Sequence, residues 1–324
     1  MTATPPRVAY AGEPGAFAED AVLAAFGSAD PVPVPGFREV FATVTSGRSP
    51  GDRAGSDRPV VAGVVPIENL VNGTVRDNYD LLLEHDLEIV GEVVVPVRLC
   101  LATLPGQSLD RIERVYSHIQ ALGQAEAFLR TRTWTLLTTY NTAGSARIIV
   151  ERSEIGAAAV LSPRAAALYG LAVLADGIQD VPDNRTRFLV LARHDRGPDV
   201  RALEQSPSGP DEADPATGRR ARSAGEEHAG SSLLRSSRPM RTTLVLTVRN
   251  QPGSLLRCLE VFAGFGLNMS KLESRPSRDR AWEYVFWIDL DADADDIGRA
   301  IGGGLRDRTA MIRVLGTYPR AEAS

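Results

Sequence analysis

Apolar and polar positions along the chain fall into two structured stretches separated by a polar interval. From Arg7 to Arg193, short apolar runs alternate with segments of helical spacing. The runs are RVAYAG (7–12), VVAGVVPI (60–67), LEIVGEVVVPVRLCLAT (87–103), RVYSHI (114–119), AAAVLS (157–162) and TRFLVLAR (186–193), each with the character of a strand. Between them, Val75, Tyr79, Leu82 and Leu83 recur at i, i+4, i+7 and i+8, one face of a helix. Ala121, Ala125, Phe128 and Leu129 repeat that pattern. Thr74 followed by Asp77 has capping-box spacing and predicts a helix start there. Strands alternating with helices predict an α/β architecture with mainly parallel sheets. The long run at 87–103, interrupted by Pro96, predicts a crossover between two lobes.

Residues 195–241 contain no Phe, Trp or Tyr and are dominated by Pro, Gly, Ser, Asp, Glu and Arg. Such a segment buries too little apolar area to offset its ordering entropy, so a flexible linker is expected. Beyond it the pattern resumes. TTLVLTVRN (242–250) is a strand, and PGSLLRCLEVFAGFG (252–266) a helix opened by Pro252 and closed by Gly264 and Gly266. LNMSKLESRPS (267–277) is a strand, and AWEYVFWIDLDA (281–292) alternates Trp282, Tyr284, Phe286, Ile288 and Leu290 against the positions between. ADADDIGRAIGGGLRDR (292–308) is a helix weakened by glycines, and TAMIRVLGTY (309–318) a last strand. The order βαββαβ is a ferredoxin-like unit. It carries no nucleophile, base or metal cluster, which points to a binding module.

Composition narrows the class. The chain has 324 residues, 43% hydrophobic and 24% charged, with a net charge of −5. No export signal opens it, and no apolar run approaches the roughly 18 residues that cross a bilayer. A cytoplasmic protein without membrane contact is expected. Cys100 and Cys258 lie far apart, and the histidines show no ligand spacing, so neither disulfides nor a metal site is expected. Lys271 is the only lysine, but the arginines are scattered among acids in an acidic chain, which argues against nucleic acid.

In open α/β sheets, ligand groups gather beyond the carboxyl ends of strands. The run ending VVPIENLVNG places Glu68 and Asn69 at such an end, and Ser117 and His118 stand at another. From pattern alone, Glu68 as a solvated strand end and Asn69 as a turn former fit equally well.

Taken together, the motifs resemble the prephenate dehydratase family with a C-terminal ACT regulatory domain. Five blocks carry the resemblance, in the family's order: GEPGAFAEDA (12–21), VPIENLVNGTVRDNYDLL (65–82), SHIQALGQAEAFL (117–129), YGLAVLADGIQDVPDNRTRF (169–188), and PGSLL (252–256) with ESRP (273–276). The resemblance implies a two-lobed, periplasmic-binding-protein-like catalytic domain over 1–194, with lobe one at about 7–92 and 180–194 and lobe two at about 93–179. The linker at 195–241 and an ACT domain at 242–319 follow. It implies a cofactor-free enzyme with prephenate as substrate, L-phenylalanine as effector, and a homodimer or homotetramer. Carried over by position, Glu68 and Asn69 match an acid–amide pair of the cleft, and Ser117 and Gln124 match second-lobe hydrogen-bonding groups. Thr186 is the hydroxyl of the TRF signature, and Ala16 and Phe17 stand in the substrate-binding first block. Arg187 either binds a substrate carboxylate or, as the strand neighbour of Thr186, faces outward. Gly253, Ser254, Leu255, Glu273, Ser274, Arg275 and Pro276 match the regulatory phenylalanine site.

The chain departs from the family's pattern at Ala16 and Ala18, where hydroxyl residues are usual, at Leu70 after PIEN, and at Ile119, where the second-lobe motif has proline. Two further readings fit the same residues. One is a paralogue acting on arogenate, or decarboxylating prephenate without aromatisation. The other is a non-catalytic amino-acid sensor.

Overall fold

The computed structural model describes residues 4–52, 58–204, 239–277 and 283–321. In chain order, β1 (Arg7–Ala11), α1 (Phe17–Phe26), β2 (Asp30–Val34), α2 (Phe37–Ser46), β3 (Val60–Asn69), the short β4 (Gly73–Thr74), α3 (Arg76–Glu84) and β5 (Glu88–Pro96) build a first lobe. The chain crosses at 97–99 into a second lobe. That lobe holds β6 (Cys100–Thr103), β7 (Arg114–Ser117), α4 (Ile119–Gln124), α5 (Glu126–Leu129), β8 (Thr135–Thr138), α6 (Gly144–Arg152), β9 (Ala157–Leu161), α7 (Pro163–Leu168) and β10 (Ala172–Asp176). It then returns through 177–184 to lay β11 (Arg185–Ala192) and α8 (Gly197–Glu204) back on the first lobe. The two crossings are joined by Val97 N donating to the Asn184 carbonyl at 2.8 Å.

Sheet orders are β2-β1-β3-β11-β5, with β4 attached to β3, and β10-β6-β9-β7-β8. The sheets are mixed rather than mainly parallel. In the first, β11 opposes both of its neighbours, and in the second β6 opposes both of its own. Each is the strand by which the chain enters its lobe, so the two crossings themselves impose the reversed direction. Sequence reading missed β2, β8 and β10. In β2, Pro31 and Pro33 hide a strand that is tolerated because it lies at the sheet's edge.

Apolar spacing explains the layers. Helix α1 buries Ala18, Ala21, Val22 and Phe26, one stripe at helical period, against one face of the first sheet. All five residues of β9 are buried, as a central strand covered on both faces requires. The segment expected as linker from residue 195 opens with α8, whose Val200 is buried in the core of the first lobe. Residues 205–238 of that segment, and Trp282, lie outside the described residues.

The C-terminal unit is βαββαβ: β12 (Met240–Thr247), α9 (Ser254–Gly264), β13 (Asn268–Pro276), β14 (Tyr284–Asp291), α10 (Ala294–Ala300) and β15 (Met311–Pro319), in order β13-β14-β12-β15. The second helix breaks in its glycine run, where Gly304 takes φ 111°, before a last turn α11 (Arg306–Arg308). One sheet face packs α9 and α10. The other is covered by the first lobe: Val245, Val285, Trp287, Leu315 and Tyr318 share a core with Tyr79, Leu82 and Ile89. Strand β15 lies so close to β5 that any Cβ on Gly316 would collide with the Ile89 carbonyl.

Candidate active site

Thr186 and Asn69 stand directly opposite each other on antiparallel β11 and β3. Strand alternation turns both side chains to the same sheet face, where both are buried. Asn69 Nδ2 donates to Thr186 Oγ1 at 3.0 Å, to Asn184 Oδ1 at 2.9 Å and to the Arg185 carbonyl at 3.1 Å. Asn69 Oδ1 accepts from Val71 N at 3.1 Å and Asn72 N at 2.9 Å, which closes the turn after β3. Gln124 Nε2, from the second lobe, reaches the same oxygen at 3.5 Å. Because Thr186 Oγ1 accepts from the amide, its own proton is left to point elsewhere. Residues of both lobes line the cleft in front of it, a cavity of about 910 Å³.

Among the described residues, five helices start at this cleft, and their N-caps are Ala16, Gly36, Val75, His118 and Ala143. At α1, α2 and α3 the N-cap residue makes no side-chain hydrogen bond, whereas α4 is capped by His118 and the first N–H of α6, from Gly144, donates to Asn141 Oδ1 at 2.5 Å. Helices α7 and α10 open away from the cleft and are capped by Ser162 and Asp293. A helix start without a cap leaves N–H donors and the positive dipole end free for an anion. The cleft is therefore set up for negative charge by backbone donors. Its side chains supply Arg38 and Arg76 against Glu39, Asp77 and Asp80, and Arg38 is already paired with Glu84 at 2.7 Å. Among the described residues no group of three or more His, Cys, Asp or Glu comes together as a metal ligand set.

Of the residues expected here, Asn69, Gln124, Thr186, Ala16 and Phe17 line the cleft. Glu68, Arg187 and Ser117 do not. Glu68 and Arg187 occupy the alternate positions of β3 and β11, so both point through the sheet to the C-terminal domain. Glu68 pairs there with Lys271 at 3.1 Å. Arg187 meets Glu92 at 2.6 Å, Asp289 at 2.7 Å and the Tyr318 hydroxyl at 3.1 Å. Although burial alone lowers an arginine's pKa, Tyr318, Asp289 and Glu92 outweigh it and hold this guanidinium above its ordinary value. Ser117 is fully buried and donates to the Val160 carbonyl at 2.6 Å, so it ties β7 to β9 instead of facing a ligand.

Sequence reading passed over Asn184, and of the pair Ser117 and His118 at one strand end it carried Ser117 forward as the site residue. Asn184 orients the Asn69 amide from the crossing between lobes. His118 lines the cleft, and its Nδ1 accepts from Gln120 N at 3.4 Å, which leaves the proton on Nε2. Burial lowers its pKa below the ordinary value, so it is neutral at pH 7.

A family model described as prephenate dehydratase matches residues 8–196, and one described as ACT domain matches 242–297. The chain belongs to the prephenate dehydratase family. It is 34% identical to a bifunctional chorismate mutase/prephenate dehydratase of Aquifex aeolicus, over 97% of this chain and 74% of that one. It is also 34% identical to arogenate dehydratase/prephenate dehydratase 1 of Arabidopsis thaliana, over 97% and 72%. Among solved structures, a prephenate dehydratase from Arthrobacter aurescens in complex with L-Phe superposes with TM-score 0.72 at 27% identity, covering 97% of this chain and 90% of that one. A protein described as a quorum-quenching acylase superposes with TM-score 0.74 at 27% identity, covering 98% of each chain. The fold is thus the two-lobed catalytic architecture of the family with an ACT domain attached.

In the ACT domain of this prephenate dehydratase relative, Gly253, Ser254 and Leu255 line a second cavity of about 290 Å³, together with Asn250, Tyr284 and Phe286. Gly253 takes φ 77°, which only glycine adopts freely, and starts α9 without a side-chain cap. The ESRP residues do not join this cavity within the chain. Alternation along β13 turns Glu273 and Arg275 to the catalytic domain, whereas Ser274 and Pro276 lie exposed on an edge strand.

Proposed function

We propose that the chain converts prephenate to phenylpyruvate, with L-phenylalanine acting through the ACT domain. The observation that carries this reading is the Asn69–Thr186 hydrogen bond inside a cleft onto which α1, α2 and α3 open without an N-cap side-chain bond. Prephenate offers two carboxylates and a ring hydroxyl. Its reaction breaks the bond to one carboxylate, sends that electron pair into the ring and expels the hydroxyl, so aromatisation supplies the driving force. The leaving oxygen departs as water once it has gained a proton.

The cleft provides what such a step needs. Free N–H groups hold the dianion and fix its orientation. Asn69, fixed on one side by Asn184 and on the other by Val71 and Asn72, sets the hydroxyl rotor of Thr186 so that its proton faces the substrate. Threonine is too weak an acid to give that proton up outright. Its hydrogen bond tightens as negative charge grows on the leaving oxygen, and water or a neighbouring donor relays the proton. His118, as a neutral Nε2 donor, adds a hydrogen bond without adding charge.

Incubating the purified protein with prephenate and following phenylpyruvate tests this directly. Unchanged prephenate, or a non-aromatic acid as product, overturns it. A second reading, arogenate as substrate, is favoured by Glu39 and Asp77 at the cleft wall: an ammonium in place of the keto group would gain a carboxylate partner there. Comparing kcat/KM for the two compounds decides between them. For the effector, we infer phenylalanine binding beside Gly253–Leu255, with a second copy of the chain against edge strand β13 in a homodimer or homotetramer. Isothermal titration with phenylalanine and sedimentation velocity check both parts.

A further inference from the structure

Helix α3 lies between the cleft and the ACT sheet, and its two sides are held by different things. Thr74, Val75, Arg76 and Asp77, at its start, line the cleft. The Thr74 hydroxyl has the right spacing to cap this helix, yet it donates to Glu273 Oε2 of the ACT domain at 2.7 Å. Arg275 donates from Nη1 to the Arg76 carbonyl at 2.7 Å and pairs with Asp80 at 3.1 Å. One turn along, Tyr79 stands edge-on to Trp287 at 4.6 Å, with the Arg275 guanidinium 5.8 Å from its ring centre. Two side chains of one ACT strand thus hold β4, through Thr74, and the first turns of α3, through Arg76 and Asp80, where they form a cleft wall.

We propose that Glu273 and Arg275 are positioning residues for the substrate cleft: β13 acts as an external clamp that sets where the first turn of α3 stands. Any displacement of β13 is then transmitted to the cleft wall across one side-chain contact, with no longer path needed. The consequence for substrate binding rests on the prephenate reading, but the clamp itself does not.

Two measurements on Glu273→Ala and Glu273→Gln, without effector, test the clamp. Hydrogen exchange should show faster exchange at residues 75–79 in Glu273→Ala, while β12 and β14 keep wild-type protection. Glu273→Gln retains an acceptor for Thr74 and should restore most of the protection. In turnover, Glu273→Ala should raise KM for prephenate roughly 5-fold and leave kcat within about 2-fold, because the reacting hydroxyl is untouched. In a cycle with Thr74→Val, the double variant should be no worse than Thr74→Val alone. Unchanged exchange at 75–79 in Glu273→Ala, or full additivity with Thr74→Val, overturns the proposal. Should the wild type make no phenylpyruvate, the functional reading falls while the exchange measurement still decides the clamp.

Discussion

The two faces of the first-lobe sheet differ more than any two regions of the surface. On the cleft side, β3 and β11 present Asn69 and Thr186, neutral groups joined by one hydrogen bond and open to a large cavity. On the ACT side, the neighbouring residues Glu68 and Arg187 enter a charged network with Glu92, Arg241, Asp289 and Lys271. A single strand thickness separates neutral groups that line a cavity from charges paired with one another across the domain boundary. The register of β3 and β11 shifts between Arg187 and Phe188, next to the site, and a local irregularity of this kind re-aims side chains where function needs it. The lesson is that two adjacent residues of one signature, Thr186 and Arg187, stand in unrelated settings: one lines the cleft, the other is held by the ACT domain.

The sharpest way to break that contrast is to exchange the effects of the two neighbours. If Thr186 donates to the leaving oxygen as proposed, Thr186→Ala should lower kcat by about 100- to 1000-fold. Its urea denaturation curve should match the wild type, because Thr186 makes only one side-chain bond. Near-normal turnover in this variant would remove Thr186 from the mechanism.

Arg187→Met should do the reverse. It leaves Glu92 and Asp289, with side chains only 1% and 6% exposed, without their shared partner. Breaking a buried pair on one side costs about 3–5 kcal/mol. The expected result is an earlier urea transition and a loosened ACT domain, with turnover at low temperature reduced far less than in Thr186→Ala. If Arg187→Met instead abolishes turnover while stability holds, the guanidinium belongs to the cleft after all.

Much of this was legible in the chain and some was not, for identifiable reasons. Periodicity located most strands and the ACT helices, and the family motifs brought Asn69, Gln124 and Thr186 together. Which face each motif residue occupies was not legible, because alternation fixes only that neighbours differ. Deciding the direction requires knowing what covers each face. Glu68 was misplaced in the cleft for that reason, and of the two readings of Arg187 the structure bears out the one away from the cleft. In β14 the alternation was legible but not what covers its second face: the first lobe packs there, and Trp287 and Asp289 are both buried. Thr74 was misread because a capping spacing is a local signal, and a tertiary partner, Glu273, outbid it.

A smaller effect refines the cleft side. Ser162 caps α7 by accepting from Ala165 N at 3.0 Å, and its hydroxyl donates to the Gly15 carbonyl at 3.1 Å. It therefore joins the first block of lobe one to lobe two. Gly15 has φ 87°, and a Cβ there would meet the Ala165 backbone at 2.9 Å. Ser162→Ala should cost about 1 kcal/mol through the lost cap and raise KM modestly by loosening lobe closure. Separate urea and kinetic measurements will show whether cap and closure are lost together.

The least expected change concerns pH. The pKa of His118 is lowered by burial from an ordinary value of 6.5. The unfolded chain therefore takes up a proton at higher pH than the folded one does. Stability linked to this group is complete above about pH 6.5, declines as pH falls through the window between the unfolded and folded values, and changes no further below it. Nothing should change above that window, where the ring is neutral in both states. His118→Asn, which keeps a side-chain donor and cannot titrate, should flatten the decline in thermal midpoint below pH 6.5 relative to wild type. An undiminished decline in His118→Asn would show that the ring is solvated and charges normally, and His118 would then lose its place as a neutral donor in the cleft.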